Sequence, residues 1–192
     1  MPPFLARSHG MTPGDIGTAL ALIIGIGGGI GVYLGGVLAD RIARSDATGM
    51  LRVPMWAMLL AFPPGFVVFL SDSTALALTA FVVPAFLGLM YQAPAFAVTQ
   101  SLATPMMRAT ASAVLLFVIN IIGLAMGPAV TGALSDALVP RFGDDSLRYA
   151  LLIVSVGLLW SALHFKLAAR SLAADREVAR EAAAREAAGA AV

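Results

Sequence analysis

Five apolar stretches constrain this chain more than any other feature of its sequence. They cover about 16–38, 53–70, 75–98, 111–134 and 149–167, and the only charge in any of them is Lys166, at the end of the fifth. A hydrocarbon core roughly 30 Å thick is crossed by a helix of about 20 such residues, rising about 1.5 Å each. Lipid offers the backbone no hydrogen bonds, so a spanning segment of this length must be a helix. Pro63, Pro64, Pro84 and Pro94 fall inside spans, where neighbouring helices or polar groups can satisfy the carbonyls they free. The expected fold is therefore all-α and integral to the membrane, with five transmembrane helices.

Composition supports the same reading. Apolar residues make up 59% and charged residues 12% of the 192, where soluble domains carry about 25% charged. Nine of the charges lie between Lys166 and Glu186, which leaves too few elsewhere to cover a water-soluble fold. A soluble enzyme is excluded on this ground. The absence of Cys removes thiol chemistry and Cys-ligated metals, and the net charge of +1 gives no reason to invoke nucleic acid. No metal or cofactor is expected. All basic residues but Lys166 are Arg, the codon bias of a GC-rich bacterial genome, so the expected membrane is a bacterial inner membrane.

Basic residues in short loops set the orientation. With the first span ending inside, the cytoplasmic side collects Arg41, Arg44, Arg52, Arg108, Lys166, Arg170, Arg176, Arg180 and Arg185, against Arg7, Arg141 and Arg148 outside. The N-terminus is then outside and the C-terminus cytoplasmic. Met1-Pro2-Pro3-Phe4 has neither the basic nor the apolar region of a secretory signal and reads as a loop or frayed helix end. The Ala-rich segment 171–192, with Glu181 and Arg185 one turn apart, reads as a solvated helical extension of the fifth span.

The first and fourth spans share a pattern. Gly27, Gly31, Gly36, Leu38 and Asp40 recur 96 positions later as Gly123, Gly127, Gly132, Leu134 and Asp136. One span ends inside and the other outside, so the repeat is inverted, an architecture of secondary transporters. Gly25, Gly27, Gly29, Gly31 and Gly35 form small-xxx-small spacings that let helices approach closely. Static packing and packing that slides during transport both fit this stripe. The run Gly25-Ile26-Gly27-Gly28-Gly29-Ile30 lacks the last Gly of the dinucleotide fingerprint and lies in a span, so it carries no nucleotide reading.

Gly36-Val37-Leu38-Ala39-Asp40-Arg41-Ile42-Ala43-Arg44 resembles the cytoplasmic-loop signature of the major facilitator superfamily, with Ala43 where the family has a second Gly. Gly123, Gly127-Pro128 and Gly132 are similar to the family's Gly-Pro helix-packing signature. The stretch from Pro94 to Leu138, with Pro105, Arg108 and Asn120, looks most like the spinster-type branch. Arg7-Ser8-His9-Gly10-Met11 fits the loop before that branch's eighth helix. The resemblance reaches Arg170 and implies helices 8 to 12 of a twelve-helix transporter, a C-terminal half fragment or a mis-started reading frame. On that reading 1–15 is an extracytoplasmic loop after a missing seventh helix, 16–170 a transmembrane bundle and 171–192 a cytoplasmic tail. The implied partners are the lipid bilayer, the missing N-terminal half and a small-molecule substrate.

The resemblance also makes Asp40, with Arg41 and Arg44, a cytoplasmic charge cluster latching onto a helix N-terminus of the other half. The residues alone allow a plain solvated helix cap. A carboxylate at a helix N-terminus contributes about 0.3–1 kcal/mol, enough to bias a gate without freezing it. Arg108 is either the reciprocal gate contact or a positive-inside anchor. Polar groups inside hydrocarbon are expensive and therefore informative. Tyr91 and Gln92, between Pro84 and Pro94, are expected to line the substrate pathway. Asn120 is expected either to bond a neighbouring helix or to line a cavity. With no charge deep in a span, the pathway suits an amphipathic or lipid-like solute better than a small ion. His9 and His164 lie near opposite faces, with no Ser-His or carboxylate pair at membrane depth, which speaks against an intramembrane enzyme. A non-transporting membrane scaffold is the alternative reading.

Overall fold

Every apolar stretch is helical in the computed structural model, which describes residues 1–46 and 48–189. The first span runs Pro13–Ala43, as α2 (Pro13–Leu20), a π-helical stretch (Ala21–Gly28) and α3 (Gly29–Ala43). The second comprises α4 (Arg52–Ala61) and α5 (Pro64–Leu70), divided at Pro63-Pro64 because neither proline supplies an N–H. The third comprises α6 (Thr74–Leu89), which holds Pro84, and α7 (Gln92–Ser101). The fourth runs through α8 (Arg108–Val118), a second π-helical stretch (Ile119–Met126) and α9 (Gly127–Phe142). Gly143, at φ 54°, turns the chain there, in a conformation that side chains resist. The fifth comprises α10 (Ser146–Ser155) and α11 (Gly157–Gly189).

The N-terminal segment, expected as a loop or a frayed helix end, is helical. Residues Pro2–His9 form a helix, α1, closed by Gly10 at φ 62°. The Met11 N–H then reaches back 3.3 Å to the Leu5 carbonyl, a Schellman closure that favours glycine at the cap. Pro2 stands where its missing N–H costs nothing. Phe4 and Leu5 are fully buried against Ile16 and Leu147, and this burial is what holds the segment helical. Thr12 starts α2: its hydroxyl accepts from the Asp15 N–H at 3.3 Å and donates to the Asp15 carboxylate at 2.7 Å.

The bundle is unevenly packed. One core joins Ala39, Met50, Leu51, Val53, Ala57 and Met90 at the Arg-rich end, and it includes Leu172 at 1% exposure. The segment 171–189 is thus not solvated from its start. Its first turns dock on the bundle, with Arg176 Nη2 3.0 Å from Met50 Sδ and Nε 3.4 Å from Ser101 Oγ. The fourth span is the opposite case: none of its most apolar stretch is buried. It leans on the bundle only at its two ends, α8 against α7 and α9 against α10, where Ser135 and Ser146 share a buried hydroxyl hydrogen bond of 3.2 Å.

Candidate functional site

The first and third spans cross at two glycines, one turn apart. A Cβ on Gly31 would fall on the Phe86 carbonyl, and one on Gly35 on the Met90 backbone. Pro94 bears on the second of these contacts. It has no N–H for the Met90 carbonyl four residues earlier, so that oxygen leaves the helical ladder and lies against Gly35. Close backbone approach through small residues is how helices associate where lipid supplies no hydrophobic drive, and Cα–H to carbonyl contacts recur at such crossings. Gly36 is looser, with its Cβ position 3.3 Å from the Ala93 methyl.

This crossing sits beside the break in the third span. Tyr91 is the hinge residue before α7 and Gln92 its first residue; both are half-buried. The Tyr91 ring lies 6.4 Å from that of Phe165, and Pro94 is fully buried behind it. Tyr91 and Gln92 therefore share one interrupted turn. Asn120 is elsewhere, in the π-helical part of the fourth span, exposed. Its Nδ2 donates to the Leu116 carbonyl of its own helix at 2.8 Å. Of the two expected roles, a bond to a neighbouring helix or the lining of a cavity, the first is not made among the described residues.

The repeat does not pack symmetrically. Gly27, Gly123 and Gly132 would meet nothing within 4 Å of an added Cβ, and Gly127 only its own helix at 3.8 Å. Pro128 and Gly132 instead line a cavity of about 390 Å³ with Phe4, Arg7, Asp136 and Leu147. What the two spans do share is the π-helical stretch just before each glycine-rich α-helix. Such widened turns cluster at functional positions in helices. Hydropathy gave no sign of them.

At the Arg-rich end Asp40, Arg41 and Arg44 are exposed around the end of α3, and Arg108 is exposed at the first residue of α8. The ordered charge here is Asp46, which sequence reasoning passed over. It accepts from the Thr48 hydroxyl at 2.6 Å and the Thr48 N–H at 3.0 Å, and Arg52 lies 2.9 Å away. These hydrogen bonds, ahead of Arg52, hold its carboxyl below the usual carboxylate range. The Asp-x-Thr spacing was the available signal.

No family model matches the sequence. Over 153 residues, 80% of its length, the chain is 35% identical to the "MFS-type efflux pump" of Mycolicibacterium smegmatis, of which it covers 35%. That relative is a major facilitator superfamily protein, so the likeness agrees with the resemblance carried by Gly36–Arg44. The chain's fold is also that of a bacterial homologue of the human lysosomal transporter Spinster. The inward-facing unoccupied structure matches 91% of this chain and 44% of its own, with TM-score 0.79 and 23% identity. The inward-facing occupied structure matches 91% and 45%, with TM-score 0.74 and 24% identity. The chain is thus a multi-pass membrane protein that spans about a third of the curated relative and under half of the solved ones.

Proposed function

We propose that this chain is one half of a secondary active transporter that works by alternating access on a small amphipathic or lipid-like solute. The observation that carries the reading is its 35% identity to an efflux pump across 80% of its length. The inverted repeat of the first and fourth spans supports it. In this reading the second half is the N-terminal one, and it covers the exposed fourth span. Tyr91 and Gln92, at the broken turn, and Asn120 face the pathway between halves. Asp40, Arg41 and Arg44 form the cytoplasmic gate, with Arg108 at the same end. The Arg-rich end faces the cytoplasm, so Ser73→Cys, in the loop between the second and third spans, is labelled by an impermeant reagent from outside only.

Liposome flux tests the whole. The chain alone is expected to give no saturable flux of lysolipids, sugars or drugs. Co-reconstitution with the seven-helix N-terminal segment of the efflux-pump relative, which supplies the N-terminal half and the seventh helix, is expected to restore flux of lysolipids or amphipathic drugs. Saturable, substrate-specific flux from the chain by itself overturns the half-transporter reading.

A further inference from the structure

On the Arg-poor face, α1, the turn before α6 and the start of α10 meet at a polar cluster. His9, the last residue of α1, has Nδ1 3.3 Å from the Thr74 hydroxyl. Its ring stands edge-on to Phe4 at 5.1 Å, and Phe4 in turn packs edge-on against Phe69 of α5 at 5.4 Å. The His9 Nε2 is buried without a hydrogen-bond partner among the described residues. Arg148, its side chain 11% exposed, holds Asp72 at 2.9 Å and Asp145 at 3.5 Å. The charged groups around the imidazole are therefore Arg7 on its own helix, Asp72 on the turn, Asp145 before α10, and Arg148 on α10.

We propose that His9 is a proton-binding site that clasps α1 to the bundle when neutral and releases it when protonated. In the neutral ring one nitrogen meets Thr74 and the other rests in an apolar setting, at a cost the buried Phe4 and Leu5 offset. A proton makes both nitrogens donors, and Nε2 has no acceptor to meet. The new charge also lies beside Arg148, whose guanidinium already pairs with Asp72 at 2.9 Å and stands 3.5 Å from Asp145. Accommodating it requires Arg148 to give up a partner or α1 to move away. Gly10, at φ 62°, supplies the joint about which α1 moves.

The direction of the pH response follows. Burial first, and then Arg148, lower the His9 pKa from its ordinary 6.5, while Asp72 opposes them. A base whose folded-state pKa is lowered leaves its contact fully stable above the unfolded value. That stability is lost as pH falls from 6.5 toward the folded pKa. The clasp is closed at neutral pH and opens on acidification of this face. It stands independently of the transport reading.

The test is a pair of spin labels on the full chain in membranes, at Ala6→Cys and Leu76→Cys, both exposed positions in a Cys-free protein. Distances are measured from pH 7.5 down to 5.0. One narrow distance is expected at the upper end, with a longer population growing in at a midpoint below 6.5. His9→Gln is expected to keep the narrow distance throughout. Arg148→Gln, which removes a charge that disfavours protonated His9 in the closed state, is expected to move the midpoint downward and shrink the longer population. An unchanged wild-type distance over this range overturns the proposal, as does the same titration in His9→Gln. If His9→Gln is open at every pH, Arg148→Gln decides: a midpoint that falls supports the clasp, and one that stays or rises overturns it.

Discussion

Glycines that look alike along the first span serve different purposes, and substitution separates them. Gly31 and Gly35 lie under the Phe86 and Met90 backbone, which cannot rotate aside as a side chain can. Gly31→Ala or Gly35→Ala is therefore expected to force the first and third spans apart, at about 1–3 kcal/mol. A lower thermal midpoint in detergent, with loss of the monodisperse fraction, is the readout. Gly27→Ala meets open space and is expected to leave both unchanged. A midpoint for Gly31→Ala equal to wild type would show that the crossing is looser than described. Asp40 is a different case. It is exposed at the end of α3, so Asp40→Asn is expected to leave expression nearly normal. In the two-half transporter the same change is expected to shift the inward/outward population, read as altered cysteine accessibility on both faces. Unaltered accessibility and flux would reduce the motif to a topological anchor.

At the scale of elements, what the sequence made legible follows from how local each signal is. The spans at about 16–38 and 75–98 were readable because lipid demands apolar residues on every side, so hydropathy alone finds them. The crossing of Gly31 and Gly35 on the third span was half legible: small-residue spacing announces close approach but not the partner. The helix α1 was legible only as a loop or frayed helix end, because Leu147, which packs with Phe4 and Leu5, lies far along the chain. The docking of α11 was missed for the same reason, since Leu172 stands in an otherwise Ala-rich polar run and its partners lie in the second and third spans. That docking makes a prediction about length. Removing residues from Val178 onward deletes only solvated turns, held by the exposed pairs Arg180–Glu177 and Arg185–Glu181, and is expected to change stability little. Removing residues from Ser171 onward also takes Leu172 and Arg176, and is expected to cost about 1.5–3 kcal/mol from the leucine alone. Equal thermal midpoints for the two truncations would return the whole segment to the role of a polar tail.

For the whole molecule the decisive asymmetry is between the first three spans, which pack on one another, and the middle of the fourth, which is exposed. Val114, Phe117, Ile121 and Leu124 are exposed by 56%, 65%, 42% and 73%, at spacings of three or four residues. Apolar side chains facing lipid cost nothing by themselves, so exposure alone does not demand a partner. The same span, however, carries Asn120, turned back onto its own backbone, and glycines at 123, 127 and 132 that meet no other helix. Small residues and an amide are what membrane helices place at interfaces. We expect this face to associate with a second copy when the chain is alone, and with the N-terminal half when that is supplied. Phe117→Cys in the Cys-free background is expected to form disulfide-linked dimers on mild oxidation in membranes, whereas Trp160→Cys, 67% exposed on the fifth span, is not. Co-expression of the N-terminal half is expected to suppress the Phe117→Cys dimer severalfold without changing the amount of chain inserted. Equal cross-linking at both positions would mean random collision in the bilayer. A Phe117→Cys dimer that persists beside the other half would place that half on a different surface of the bundle.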